Sequence, residues 1–588
     1  MSTDNSILGQ QTFSPPLRSP GSSKSSVRHS SNGSNASLPT IVEVPEDVVT
    51  QRDPYVKTGF RGVLESPYCT GFAILAAIGG FALGYNQGLM PISLITEQIV
   101  TQFPQIDLNF IAAITQLGGF LGALIMGSVA DHCARKRSIG IAAVVFISGF
   151  VFQTISMNYT MLVVARLVGG IAIGMLSVIT PIYISEISPP EIRGSLLVFS
   201  ESLHSHAYFT DVLIALGTMA SFWISVATGH MDGEEIWRLP FVFLVIPGLI
   251  LGIGAICMPF SPRWLASRFE NQQALYCLSK LRQLCPDNCK VQNEWMEIRV
   301  EVAYQREITE ARHPLLQDES YINGIKLELQ LWLDCFKSRY WYRTHVGIGM
   351  MFFQQFVGMK ALAYNVPILL GTLGASIDIQ IAMPGIFAAV HLLGALTCLW
   401  TIDTFGRKRV LVSGSSLMLV CLIIIAGLNS KFSDNWSSHP DAGWCCVGIS
   451  ILCILAFGAG WSPVSWALPS EVFPSTLRVK GGALSACSYW LYDFLSSLIT
   501  RSLFSKSKWG TYAFFAGFCL LSAFWAAHFV PETTGRALEE MYKLFGDNEE
   551  HVREGQKKTD IRRTLASEYA PELFISPGGT PTNGFRIV

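Results

Sequence analysis

The sequence is short of charge. Only 14% of its 588 residues are Asp, Glu, Lys or Arg, against roughly 25% in an ordinary soluble domain. Those present are clustered, with long apolar stretches between the clusters. An excess of one sign is missing as well: 42 basic residues face 43 acidic ones, for a formal net charge of −1. That removes the basic field by which nucleic-acid partners are held. The fourteen cysteines contain no Cys-x-x-Cys pair. Most sit inside apolar stretches, so they read as small packing groups rather than a zinc site or disulfide framework, and the adjacent Cys445 and Cys446 read the same way. No Gly-rich loop ending in Gly-Lys-Ser/Thr is there to cradle phosphates. No nucleophile–base or metal constellation emerges, so an enzyme is not expected, and no cofactor is implied.

What is present is apolar length. A bilayer core takes about 20 apolar residues per helical span, and such runs begin near Cys69, Ile111, Ile139, Met161, Val212 and Pro240. They resume near Val346, Ile381, Val410, Trp444, Gly482 and Thr511. The expectation is an all-α integral membrane protein of twelve transmembrane helices in two six-helix halves, residues 66–260 and 344–531. A central loop, 261–343, lies between the halves, and a tail, 532–588, follows them. Residues 1–65, rich in Ser, Pro and Asn, cannot bury a core and are expected to be a disordered tail. No secretory signal is visible before the first apolar run. Lys and Arg favour the cytosolic side. Arg135, Lys136 and Arg137 follow the second span and Arg407, Lys408 and Arg409 the eighth, while the loops after the first, third and seventh spans carry no Lys or Arg. Both termini and the central loop are therefore assigned to the cytosol. Arg501, Lys506 and Lys508 in the last external loop run against the rule. Gly118 with Gly122, and Gly170 with Gly174, sit four apart and would let helix backbones approach closely.

Two motifs recur six helices apart. Asp131-His-Cys-Ala-Arg135-Lys-Arg is echoed by Asp403-Thr-Phe-Gly-Arg407-Lys-Arg. Ser185-Glu186-x-x-Pro189, with Arg193 seven residues after the glutamate, is echoed by Ser470-Glu471-x-x-Pro474 with Arg478 at the same offset. Paired six-helix halves around a site near the bilayer midplane are the design of rocking transporters. The carboxylates and arginines at these helix ends are candidate members of a cytosolic gate, paired in one state and parted in the other.

Several further segments carry a family resemblance: Gly84-Tyr-Asn-Gln-Gly88, Thr180-Pro-Ile-Tyr-Ile-Ser-Glu-Ile-Ser-Pro189, Phe260-Ser-Pro-Arg-Trp-Leu265, Phe353-Gln-Gln-Phe-Val-Gly358 and Pro531-Glu-Thr-Thr-Gly-Arg536. From about residue 70 to 540 the chain resembles a fungal sugar porter of the major facilitator superfamily. The resemblance implies the major facilitator fold and alternating-access transport of a monosaccharide without ATP, by a monomer in the plasma membrane. Its partners would be a small sugar or polyol and the lipid bilayer. The matching cavity positions are Gln354, Gln355, Tyr364, Trp466 and Trp490. Amides supply donors and acceptors for sugar hydroxyls, and rings cover the apolar face. Interhelical bonding is the alternative role for the glutamines, and helix packing for the tryptophans.

The departures from the family pattern cluster in that same cavity. Gly358-Met-Lys360 replaces Gly-Ile-Asn, Tyr364-Asn365 replaces paired tyrosines, Ala388 replaces an asparagine, and Tyr489 and Asp493 replace two more. A glutamine early in the fifth span aligns with Glu201. Charge within a membrane is costly, on the order of 2.5–3.5 kcal/mol, so partners are expected. Arg166 and Lys360 are the cations and Glu201 and Asp493 the anions, with Lys360 either paired with Asp493 or snorkelling or facing a wet cavity unpaired. Proton-driven relatives carry an aspartate in the first span that answers an arginine in the fourth. Here those positions hold Asn86 and Arg166, so downhill facilitation is expected, with Glu201 as a substitute proton site if burial raised its pKa. The stretch between Arg193 and Val212 is about nine residues too long for the family, and His204 and His206 in it do not make a metal site. Two other readings stay open: a transporter-like sugar receptor that does not transport, and a carrier of an anionic polyol acid with Lys360 as the carboxylate's partner. Asn435-Trp-Ser437 is a glycan-acceptor motif in an external loop.

Overall fold

In hydrocarbon every backbone N–H and C=O needs a partner within its own segment, so apolar runs of this length become helices. The computed structural model describes residues 66–93, 108–188, 206–229, 231, 233, 235–316, 320–433, 436–474, 476–532 and 548–569, all within one compact unit, residues 54–588. No strand occurs among the described residues. The first half contributes α1 (Pro67–Ser93), α2 (Leu108–His132), α3 (Arg135–Thr154), α4 (Tyr159–Ile187), α5 (His206–Thr228) and α6 (Glu235–Cys257). Between the halves lie α7 (Pro262–Ser267), α8 (Asn271–Arg282), α9 (Cys289–Arg312) and α10 (Tyr321–Asp334). The second half is α11 (Ser338–Phe356), α12 (Met359–Thr372), α13 (Ile377–Phe405), α14 (Arg407–Phe432), α15 (Pro440–Gly458), α16 (Trp461–Val472), α17 (Arg478–Lys506) and α18 (Lys508–Phe529), and α19 (Asn548–Tyr569) follows.

Among the described residues eleven segments are long and apolar enough to cross a bilayer; α11 with α12 forms one of them and α15 with α16 another. The twelfth crossing is α17, which is long enough at 29 residues. Its Lys480, Ser485, Ser488, Asp493, Ser496 and Ser497 lower its apolar content, yet all six are buried against protein rather than lipid. The expected glycine pairs face each other across α2 and α4. A Cβ at Gly122 would lie 1.9 Å from the Ile171 carbonyl oxygen, and one at Gly174 2.0 Å from that of Gly119. Only glycine admits this approach.

The halves meet along two seams related by the repeat, α2 against α17 and α5 against α13. Two spans are broken beside the enclosed space. The seventh parts at Gly358, whose φ of +90° suits glycine, and the tenth parts at Ala459–Gly460. Irregular backbone at membrane depth is tolerated where protein or a wet cavity surrounds it. The central segment has its own small core, with Leu265, Leu278, Val291, Trp295 and Ile298 buried together. Helix α19 docks on α9 through Lys557–Glu307 at 3.0 Å and Lys558–Glu301 at 2.7 Å.

Candidate functional site

The two broken spans, α1, α2, α5, α13 and α17 surround a cavity with about 210 Å³ of room. That is far more than the ~10–15 Å³ that admits one water. Its wall is amphipathic. Gln87, Gln116, Gln354 and Gln355 bring amides, while Phe387, Trp466, Tyr489 and Trp490 bring rings. Trp466 and Tyr489 form a tilted pair with centroids 4.7 Å apart.

Much of the wall's polarity is spent on joining the halves. Gln87 Nε2 donates to the Tyr489 hydroxyl at 2.7 Å. Gln116 Nε2 reaches Ser497 Oγ at 3.4 Å, and Trp490 Nε1 donates to Ser177 Oγ at 3.1 Å. The Trp490 ring fills the space over Gly119, where a Cβ would fall 2.4 Å from it. Trp490 therefore packs a seam and also lines the cavity. Gln354 Nε2 donates to the Ser462 carbonyl at 3.3 Å, satisfying backbone two residues beyond the α15–α16 break. Its Oε1 is buried without a hydrogen-bond partner.

Lys360 stands just past the Gly358 break. Its Nζ forms an ion pair with the Asp493 carboxylate and donates to the Asp493 carbonyl oxygen at 2.8 Å, Ser496 Oγ at 3.1 Å and Ser497 Oγ at 2.8 Å. The ammonium's three hydrogens are thus fully engaged within the second half. Asn86 and Ala388 line the cavity. Arg166, buried in α4, holds its guanidinium 5.7 Å from the centre of the Phe241 ring. Asn365 is buried, with its Nδ2 unpartnered. Tyr364 lies on α12, and its side chain is outside what is described.

Glu201 lies outside the described residues. The acidic residue that α5 brings to the wall is Asp211. Helix α5 already begins at His206, so the polar stretch before Val212 is partly inside the bundle, and Asp211 is 2% exposed. Ser462 Oγ donates to Asp211 Oδ1 at 2.8 Å, and His391 Nε2 sits 3.0 Å from Ser462 Oγ. With the hydroxyl hydrogen given to the carboxylate, the serine oxygen accepts from His391. The other carboxylate oxygen, Oδ2, is buried with no hydrogen-bond partner. This chain from α13 through α16 to α5 was hidden in the sequence because nine extra residues displaced the apparent alignment.

One end of the bundle carries the two basic triplets and is closed. Arg135 bridges to Glu186 at 3.1 Å and to Asp131 at 3.7 Å, all within the first half. The crossing contact comes from Lys480. It reaches Asp131 at 3.0 Å, the Gly127 carbonyl oxygen at 2.9 Å and Glu328 of α10 at 2.5 Å. Arg478, the residue singled out by the repeat, instead lines a smaller pocket with Arg135 and Glu186. Arg407 is buried, and Glu532 accepts from the backbone N–H groups of Arg407 and Lys408 at 3.0 and 3.2 Å. Arg193 and the side chains of Asp403 and Glu471 fall outside what is described. Lys480 and Glu328 had no repeat to mark them; Glu532 lies in the Pro-Glu-Thr-Thr-Gly-Arg segment.

The family described as "Sugar (and other) transporter" matches residues 72–545. A high-affinity glucose transporter of Kluyveromyces lactis is 28% identical over 500 residues, covering 82% of this chain and 85% of that protein. An MFS glucose transporter of Aspergillus flavus is 26% identical over 539 residues, covering 88% and 96%. Among solved structures, the proton:xylose symporter XylE bound to 6-bromo-6-deoxy-D-glucose superposes with a TM-score of 0.64. It is 24% identical and covers 82% of this chain and 99% of that one. A partially occluded inward-open form of XylE from E. coli gives 0.62, at 24% identity and with 80% and 100% covered. The fold is therefore that of the major facilitators, with twelve transmembrane helices in two halves. With the family matched over most of its length, the chain belongs to the sugar (and other) transporter family, a family of membrane carriers and not of enzymes.

Proposed function

We propose that this protein carries a monosaccharide, a hexose in the first instance, across the membrane by alternating access. The observation that carries the reading is the amide- and ring-lined cavity at the junction of the halves, with cross-half contacts closing the basic end. The curated relatives named for glucose support the substrate class. The basic end is assigned to the cytosol by its arginines and lysines, which puts both termini there, and the plasma membrane is the proposed site. The saturated Lys360 argues against an acidic polyol, since no N–H remains for a substrate carboxylate, and the cavity adds Asp211 as a negative group.

Labelled glucose entry into cells stripped of their own hexose uptake tests the reading. Gln355→Ala should raise KM about tenfold, the equivalent of one good hydrogen bond at roughly 1–1.5 kcal/mol. No entry above the vector control ends the proposal. The sensor reading gains one observation: Gln87 and Gln354 are already engaged with protein. Saturable glucose binding by the purified chain without counterflow in vesicles would favour it. Facilitation is the proposed mode, because the amide of Asn86 cannot release and regain a proton. Sensitivity of uptake to an uncoupler, abolished by Asp211→Asn, would overturn that and identify the carboxylate responsible.

A further inference from the structure

Helix α10 is too short to span a bilayer; its 14 residues extend about 21 Å. Its exposed apolar residues nonetheless form one stripe, with Leu327 and Leu331 turned away from it and half-buried. Ile322, Ile325, Leu329 and Leu333 are all half or more exposed, and Phe336 beyond the helix end is exposed as well. At about 100° per residue these four helical positions fall within an arc of about 80°. Glu328 and Trp332 lie on the adjoining face and hold the helix to the bundle. Glu328 pairs with Lys480, and Trp332 Nε1 donates to Ser128 Oγ at 3.3 Å.

Two observations fix the depth of this helix. Trp332 packs on Gly127, where a Cβ would lie 2.6 Å from its ring, about a turn before the end of α2. On the other side, α10 ends at Asp334 and the seventh span starts at Ser338, with Trp341 and Tyr342 exposed in its first turn. Exposed Trp and Tyr at a span's end mark the headgroup level. Lys326 on the helix, Lys337 just after it and Arg339 in the first turn of the seventh span are all exposed, and Lys337 also pairs with Asp334 at 2.7 Å. An apolar stripe flanked by basic residues, at the depth where a span enters, is the arrangement of a helix lying in the membrane plane.

We propose that α10 is an interfacial helix seated in the leaflet at the basic end, its apolar stripe in the acyl boundary and its basic flanks on anionic headgroups. Since Glu328 of the same helix holds Lys480, which crosses to Asp131, the lipid surface braces the closed basic end. Anionic lipid is thereby a ligand of the gate. A protein partner on the stripe is the competing occupant.

A photoreactive phenylalanine analogue at Leu329, in the full-length chain in native membranes, decides between them. The expected products after irradiation are adducts of phospholipid mass. The same analogue at Glu310, exposed on α9, should give none. Adducts to another polypeptide, or a yield at 329 no higher than at 310, overturn the proposal. The regulatory part is read by alkylation of Cys487, which is buried in the first half's core cluster although it belongs to α17. In vesicles of phosphatidylcholine with added phosphatidylserine, labelling should be on the order of fivefold slower than in phosphatidylcholine alone. Leu329→Glu should erase the difference. Equal labelling in both lipids overturns the bracing. Neither readout measures transport, so failure here leaves the carrier reading standing, and failure of uptake leaves this one standing.

Discussion

Two lysines within the spans, 120 residues apart, have been given opposite jobs by where their partners come from. Lys360 finds Asp493, Ser496 and Ser497, all on α17 of its own half. Lys480 finds Asp131 and the Gly127 carbonyl of the other half and Glu328 of the central segment. In a molecule that works by rocking one half against the other, a contact inside a half is common to every state. Such a contact can hold the fold but cannot bias the motion. A contact between halves exists in one state and is lost in the other, so its free energy goes into the equilibrium between states. The same chemistry is structural in the first place and mechanical in the second.

The sharpest test of that division is removal of each cation. Lys360→Met leaves Asp493 buried without its counter-charge, and breaking a buried pair from one side costs about 3–5 kcal/mol. The expected outcome is a large loss of folded protein in detergent, measured by thermal unfolding followed on size-exclusion chromatography. Lys360→Met with Asp493→Asn should recover most of it. If the double variant is as unstable as the sum of the singles, the pair does not act as a unit. Lys480→Met should change unfolding much less, because Asp131 and Glu328 keep partial access to water. Its effect belongs in the state distribution. Labelling of Cys487 should rise roughly tenfold, which corresponds to about 1.4 kcal/mol of lost differential contact. If Lys480→Met destabilises as severely as Lys360→Met and leaves Cys487 protected, the distinction fails.

The comparison also shows what a sequence exposes and what it hides. The twelve spans were legible because lipid demands about 20 apolar residues at a time, and the duplication was legible because Asp131 and Asp403 carry the same neighbours. Lys360 with Asp493 was legible only as one pairing among several, since a charge in a span calls for a partner but two cations and two anions were on offer. Helix α17, least apolar of the twelve, was still found because its aromatic and small residues continue across the polar positions. Lys480 was passed over for Arg478, two residues earlier, because the repeat marks arginine, whereas the crossing contact depends on which side of α17 faces α2. Glu328 was illegible for a different reason: it belongs to a central segment read as a polar loop, which folds into helices with a core of their own. Asp211 was missed because the extra residues before Val212 were legible as a surplus, but where the helix resumes after them was not. In each case the missing information was a partner's position, set by packing between segments far apart in the chain.

A third class of lysine brings the smallest expected effect and closes the series. Lys557 and Glu307 join α19 to α9 at 3.0 Å, but both side chains are about half exposed. A solvated pair of this kind contributes about 0–1 kcal/mol and weakens with salt. Lys557→Ala should therefore leave unfolding and uptake within error of the parent. Lys558, one residue on, is set between Glu301 and Glu554 at 2.7 and 2.8 Å and stands 5.0 Å from the Tyr304 ring centre. Burial pulls its ammonium down, but the two carboxylates more than offset this and raise its pKa above the ordinary 10.5. A raised folded-state value means the stabilisation is complete below the unfolded value and is lost only as pH rises through the folded one. On the alkaline side, docking of α19 should accordingly hold up to about pH 10.5 in the parent. Lys558→Met should expose α19 to limited proteolysis at neutral pH while Lys557→Ala does not. Equal protection in the two variants would mean that α19 is held by something other than this half-buried cation.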